Sequence, residues 1–261
     1  MSPRFLFALA AALPALALSA HAQAPQAAPT YAVISLVGDR LDVVTHQPQV
    51  GTLADANSHS PLQLSEDLLD TVALRAVNRA MKATMPGAEI ALLAATEPGT
   101  FVDQSRFFAG DQVRLPREID EAVHRENVAA LVLLTKHKGE AQLKVREGHL
   151  GGGKLEGLGF YVDANMLMES ADREHHSYGF IAPFVYIDAS LVDVATGRLL
   201  RQTTIRATET IPSSSNAQGA DAWGAMSAKE KVSALSGLLS ENLATAIPHL
   251  VDPSQPERHA Q

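Results

Sequence analysis

Cysteine is absent from all 261 residues. No disulfide framework can brace the fold, no thiol can serve as nucleophile, and no lipidated cysteine can follow an export signal. Basic charge is in deficit, with 21 Lys and Arg against 29 Asp and Glu, which disfavours a nucleic-acid or anionic-lipid surface. Aromatic residues make up only 5% of the chain, with a single tryptophan, Trp223. Beyond the amino terminus no run approaches about twenty consecutive apolar residues, so no membrane-spanning helix is expected there. The remaining source of stability is burial, and the 46% apolar content is ordinary for a globular protein.

The amino terminus does carry a pattern. Arg4, the apolar run Phe5 to Leu18 and then Ala20-His21-Ala22 match the charged, apolar and cleavage regions of a secretory signal peptide, with cleavage expected after Ala22. Removing residues 1–22 leaves 20 basic against 29 acidic residues, a balance of −9. Residues 23–30, rich in Ala, Gln and Pro, read as a disordered leader, and residues 252–261 as a disordered tail. Residues 31–251 form one expected domain.

That domain is organised around Phe180 to Ile211. Ile181, Val185, Ile187, Ala189 and Leu191 recur at every second residue, the spacing of one strand face, and this face is expected to pack on helices. The opposite face, with Phe184, Tyr186, Asp188, Ser190, Val192 and Val194, is mixed and suits partial exposure or cover by the amino-terminal part of the chain. A more polar second arm, Arg198 to Thr210, is expected nearer an edge. Between the arms, Ala195-Thr196 fits the centre of a type I turn and Gly197 the positive φ that closes the hairpin.

Elsewhere, Tyr31–Val37 and Arg40–His46 flank Gly38-Asp39 and read as a hairpin. Ser60-Pro61-Leu62-Gln63, or alternatively Ser65, can cap a helix whose stripe runs Leu64, Leu68, Val72, Ala76, Ala80 and Met81 to Pro86-Gly87. Ala88–Ala95 reads as a buried strand, Glu97–Val113 as mostly loop, and Pro116–Asn127 as a helix with Ile119, Ala122 and Val123 inward. Ala129–Thr135 reads as a central strand, Gln142–Arg146 as its partner, and Phe160–Met168 as a further strand. A loop from Ile211 to Gly224 leads to the capping box Ser227-Ala228-Lys229-Glu230. The final helix has Val232, Leu235, Leu239, Leu243, Ala246 and Ile247 inward and is stopped by Pro248. The fold class expected is α/β (α+β), a mixed β-sheet with a long hairpin and about three packed helices.

Motifs for chemistry are sparse. Gly148 to Lys154 has phosphate-loop spacing, but Leu155 stands where a Ser or Thr would bind metal, and Gly157 and Gly159 oppose the required helix. Gly148 to Gly159 therefore reads as a flexible loop or bulged strand, with a lid as the functional alternative. His149, His175 and His176, with Asp163, Asp172 and Glu174 near them in sequence, supply metal-ligand types. Adjacent His residues on an extended chain point apart, no His-Glu-x-x-His occurs, and a solvated turn is the simpler account. Neither Gly-x-Ser-x-Gly nor a complete Ser-x-x-Lys set is present, and Glu118, Asp120 and Glu121 read as solvated charges on a helix. Trp223 fits either an interface anchor or a plug at the edge of the core.

The segment Val185-Tyr186-Ile187-Asp188-Ala189-Ser190-Leu191-Val192-Asp193-Val194-Ala195-Thr196-Gly197-Arg198-Leu199-Leu200 resembles the Leu-Val-Asp-x-x-Thr-Gly-x-x-Leu hairpin of envelope proteins related to the TolB amino-terminal domain and to CsgG. The order of elements over Tyr31 to Leu250 is similar as well. The resemblance implies a Gram-negative periplasmic protein with a noncatalytic role in envelope assembly, transport or complex formation. It transfers no functional residue, and without a cysteine to lipidate it does not extend to a secretion pore.

The leading expectation is a soluble periplasmic interaction module. Its envelope-protein partner would be engaged at a sheet edge or around Trp223, Phe184 and Tyr186, and a homo-oligomer is compatible with this. The alternatives are a periplasmic small-molecule or metal-binding protein and an enzyme of unrecognised class. No catalytic residue and no cofactor is assigned.

Overall fold

The computed structural model describes residues 30–47, 55–64, 68–145, 148–169, 176–213, 221–252 and 254. The expected signal peptide, most of the leader and tail, Ser65 and His175 lie outside these. In chain order the first elements are β1 (Thr30–Ser35), β2 (Arg40–Thr45), β3 (Ser58–Gln63), helix α1 (Leu68–Thr84) and β4 (Glu89–Ala94). Two 3-10 turns, Pro98–Phe101 and Gln104–Phe107, precede β5 (Phe108–Ala109), β6 (Gln112–Val113) and α2 (Arg117–Arg125). Then follow β7 (Ala130–Lys136), β8 (Lys138–Glu140), β9 (Leu143–Val145), β10 (Gly148–Leu150) and β11 (Lys154–Glu169). The chain continues through β12 (His176–Asp193), β13 (Arg198–Thr208), β14 (Ile211–Pro212), a 3-10 turn at Trp223–Ala225 and α3 (Ala228–Val251).

β12 is the axis of the mixed α/β fold. One edge of it pairs antiparallel with β13, from Phe184↔Thr208 to Asp193↔Arg198. The other edge is divided. β11 takes its first part, from Glu169↔His176 to Gly157↔Tyr186, and β7 takes its last part, from Lys136↔Ile187 to Ala130↔Asp193. The sheet therefore forks between Tyr186 and Ile187: one branch continues from β11 to β2 and β3, the other from β7 to β1 and β4. In the second branch β1, β4 and β7 run parallel, as their crossover helices require.

The alternating face behaves as the sequence predicts. Ile181, Val185, Ile187, Ala189 and Leu191 lie in one buried cluster with α1 and α3. The opposite face of β12 has two separate covers. Near the fork's first branch, β8 to β10 fold over Phe180, Ala182, Phe184 and Tyr186. Toward the other end, α2 and the 3-10 turns cover Val192 and neighbouring residues of β1 and β7. Phe184 and Tyr186 are thus wholly buried and present nothing to a partner. The Tyr186 hydroxyl instead holds its cover in place, donating to Glu140 O (3.1 Å) and accepting from Gln142 N (3.0 Å).

Gly197 does adopt φ +65°. Its N–H reaches Asp193 O (2.9 Å), so the turn closes over the four residues 194–197, with the Asp193 side chain accepting from Thr196 N (2.8 Å) and Thr196 Oγ1 (2.6 Å).

Several sequence expectations are corrected. β1 and β2 form no hairpin. Leu36 N continues the β7 ladder by donating to Leu134 O (3.0 Å), and the Val37 and Gly38 amides both donate to Asp70 Oδ1 (3.1 Å each). Gly38 therefore carries the chain from one branch of the sheet to the other. Ser60 to Gln63 lie in β3, antiparallel to β2, and cap no helix. The inward stripe of α1 is Leu69, Ala73, Ala76, Val77, Ala80 and Met81, with Leu68 exposed, because Asp70 is turned inward to hold the residues after β1.

Among the described residues β4 pairs with β1 alone and is partly exposed, an edge strand and not a buried one. The expected loop after it contains the two 3-10 turns and a small β5–β6 hairpin that docks on the main turn through Val113 N to Gly197 O (2.7 Å). Leu143 to Val145 pair with β10 and not with β7. Lys154 opens a strand, so no phosphate-binding helix follows Gly153.

Helix α3 starts at the Ser227–Glu230 capping box. It then buries a four-residue repeat, Lys231, Leu235, Leu239, Leu243 and Ile247, leaving Val232 exposed. Pro248 does not stop it. Burial of Leu250 and Val251, together with Asp252 N donating to Pro248 O (3.0 Å), carries the helix one turn further.

At the outer branch His59 clasps β3 to its neighbours. Its Nδ1 lies 2.7 Å from Asp42 Oδ2 and its Nε2 3.5 Å from Asp55 Oδ2. Burial opposes the charged ring, but the hydrogen bond and charge of Asp42, and then of Asp55, outweigh it and raise the imidazole above its ordinary 6.5. A raised cationic group stabilises fully below the unfolded value and loses that contribution as pH rises through the folded one. The difference in urea midpoint between the native chain and His59→Ala is therefore expected to be largest at roughly pH 5, and to shrink toward roughly pH 9. An unchanging difference across that range would remove the clasp.

Candidate functional site

The fork leaves a gap between the two covers on one face of the sheet, and polar side chains fill it. At the branch point His137 N donates to Tyr186 O (3.0 Å) and Gly157 N to His137 O (3.3 Å), so β7 gives way to β11 at His137. The ring of His137 lies with Nδ1 3.2 Å from Asp188 Oδ2, while Arg206 Nε and a terminal guanidinium nitrogen stand 3.3 and 3.1 Å from Nε2. A guanidinium only donates, so Nε2 is the acceptor and the proton sits on Nδ1, directed at Asp188. The second Asp188 oxygen accepts from Thr204 Oγ1 (2.6 Å).

Beside this chain of bonds, Lys136 is ion-paired through Nζ with Asp39. Buried Gln104 joins the cover to the sheet: its Nε2 donates to Leu36 O (2.6 Å) and its Oε1 accepts from Lys136 N (2.8 Å). The resulting open cleft has a volume of about 560 Å³, within the range of small-molecule sites. Its floor includes Thr135, Asp188 and Gln202. One wall is the Phe101 to Phe108 segment, and the other carries Lys138 and Glu156, 3.8 Å apart. The first wall contains Asp103 at φ 48°, an uncommon backbone position for a residue with a side chain.

Both His137 nitrogens, both Asp188 oxygens and the Lys136 ammonium already have partners inside the protein. What the cleft offers a ligand is fixed polar edges next to the rings of Phe101 and Phe108.

The residues singled out from sequence are not brought together here. His149 stands exposed on β10, opposite Lys144. His176 opens β12 opposite Glu169, and His175 lies outside the described residues. Among the described residues no group of three or more His, Asp or Glu side chains is arranged to hold a metal ion. Trp223 is half-buried in the turn before α3, edge-on to Phe160 at 5.6 Å between ring centroids. One face of its indole is covered by the Lys231 ammonium, 4.1 Å from the ring centroid. That ammonium also donates to Trp223 O (2.7 Å) and Met226 O (2.5 Å). Trp223 is thereby engaged at the edge of the core.

His137, Arg206 and Gln104 were not marked by any motif. The available signal was Asp188, the one charged residue on a face of β12 otherwise formed by Phe184, Tyr186, Ser190 and Val192. A carboxylate so placed requires partners.

No protein-family model matches the chain, and no curated protein matches it. Among solved structures it is similar to a neuraminyllactose-binding hemagglutinin homolog from Helicobacter pylori. That match has a TM-score of 0.41 and 6% identity, over 88% of this chain and 87% of that one. It is also similar to protein CT253 of Chlamydia trachomatis, with a TM-score of 0.34 and 11% identity, over 86% of this chain and 98% of that one. A leucine-to-methionine variant of the PelC dodecamer of Paraburkholderia phytofirmans gives a TM-score of 0.30 and 12% identity, over 86% and 90% of the two chains.

Proposed function

We propose that this chain is an exported, noncatalytic interaction module of the cell envelope, and that it receives a segment of its partner in the cleft at the fork. The observation that carries this reading is the state of the cleft's polar groups. His137, Asp188 and Gln104 are hydrogen-bonded within the chain before any ligand arrives, which lowers the ordering cost of binding. Export to the periplasm is supported by the charge, apolar run and cleavage pattern of residues 1–22. An envelope role is supported by the resemblance of Val185 to Leu200 to the hairpin of the TolB amino-terminal domain and CsgG. Among the described residues no helix is long and apolar enough to cross a membrane.

Because the chain has no native cysteine, single cysteines report contacts without background. Ser105→Cys on the exposed cleft wall, carrying a thiol-linked photocrosslinker in intact cells, is expected to capture a discrete envelope protein. Glu241→Cys on the outer side of α3 is expected not to. Adding Gln202→Trp, which fills the cleft floor, should reduce capture from Ser105→Cys at least tenfold. Equal capture from both positions, or capture indifferent to Gln202→Trp, defeats the proposal.

A further inference from the structure

The parallel branch of the sheet ends at β4, whose register with β1 runs from Thr30↔Glu89 to Ser35↔Ala94. Among the described residues no strand pairs with its other edge. An open edge presents a row of backbone donors and acceptors, and natural proteins blunt such edges with proline, lysine or inward charge. β3, at the end of the other branch, is blunted in that way: it carries Pro61 and His59 in an exposed, mostly polar strand. β4 is not. Its sequence is Glu-Ile-Ala-Leu-Leu-Ala, its one charge lies at the first position, and Leu92 is 42% exposed on it.

We infer that β4 pairs with β4 of a second copy of this chain, antiparallel about a two-fold axis through Leu92, so that the sheets of two copies become one. A strand pairs with itself antiparallel only about an axis perpendicular to the sheet, which keeps corresponding faces on the same side and centres the ladder on a residue. Centring on Leu92 sets Leu92 against Leu92, Ala91 against Leu93 and Ile90 against Ala94. The exposed leucine is buried against its own copy, and Glu89 falls opposite Ala95, beyond the ladder.

The flanking charges complement one another in that register. Lys82 Nζ is held at the start of β4 by Ala88 O (2.6 Å). In the dimer Ala88 and Gly87 lie opposite Thr96 and Glu97 of the second copy. Lys82 and Glu97 have no ion-pair partner within the chain among the described residues. The two-fold sets the Lys82 end of each β4 beside the Glu97 end of the other, and no like charges meet along the ladder.

The test is the mass of the purified full chain by sedimentation velocity and light scattering. The native chain is expected as a dimer. Leu92→Lys, at an exposed position that leaves far-UV circular dichroism unchanged, is expected to halve the mass. Leu62→Lys, an exposed leucine on β3, is expected to leave the dimer intact. Directly opposed positions lie about 4.5–5.5 Å apart at Cβ, close enough for a disulfide. Leu92→Cys should therefore give a covalent dimer on mild oxidation, while Leu200→Cys on β13 should not. A monomeric native chain, bare or carrying another protein's strand on β4, overturns the inference. So does a dimer that survives Leu92→Lys. The cleft plays no part in this contact, so either proposal can fail alone.

Discussion

Gly159→Ala is expected to lower stability by about 3 kcal/mol, read as a drop in the urea midpoint with an unchanged slope. Gly159 sits where β11 is squeezed between β2 and β12, opposite Asp42 on one side and Phe184 on the other. A methyl group there would stand 2.0 Å from the Asp42 carbonyl oxygen and 2.7 Å from the end of the Phe184 ring. The first neighbour is backbone and cannot swing aside, so the ladder between β11 and β2 must open. Gly99→Ala, where a methyl meets nothing within 4 Å, should change stability by no more than about 0.5 kcal/mol. Equal midpoints for the two variants would mean that the β11–β2 contact is not as close as described.

The second large effect belongs to Asp70. This carboxylate is 7% exposed in the first turn of α1 and accepts both the Val37 and Gly38 amides on one oxygen. Asp70→Ala strands two buried N–H groups and is expected to cost about 3 kcal/mol. Asp70→Asn keeps an accepting oxygen and separates the role of the charge from that of the hydrogen bonds.

Burial raises the Asp70 carboxyl above its ordinary 3.8, against the lowering effect of the Ser35 hydroxyl and the two amides, with the charge of Asp39 adding to the rise. The native state thus holds this proton more tightly than the unfolded chain. Stability from this group falls as pH increases from 3.8 through the raised value. The native chain should show that decline and Asp70→Asn should not, when urea midpoints are compared across the acid range. A native profile that instead rises through this window, with Asp70→Asn flat, would reverse the assignment.

The hairpin, its helix-facing side and the last helix were legible in sequence because each rests on local regularity. Alternation from Ile181 to Leu191 fixes one face of β12, and the Ser227–Glu230 box fixes the start of α3. The fork was not legible, because it depends on two strands distant in sequence sharing one edge of β12. For the same reason Gly38-Asp39 looked like a hairpin turn, while the actual competitor for those amides is Asp70, 32 and 33 residues away. Pro61 reads as a helix start by its neighbours and is a strand residue by its pairing with Asp42. The cleft was hidden in the same manner. Asp188 comes from β12, Thr204 and Arg206 from β13 and His137 from the junction of β7 and β8, and only register brings them into line.

Sharing β12 between two half-sheets also sets a timetable. The strand that both branches lean on spans residues 176–193, so roughly two-thirds of the polypeptide must emerge before the central ladder can begin to form. Contacts that distant along the chain close slowly. A nascent chain with its amino-terminal segments already made can pair β1 with β4 and β7, but the strand that joins this branch to the β2–β3 branch is still missing.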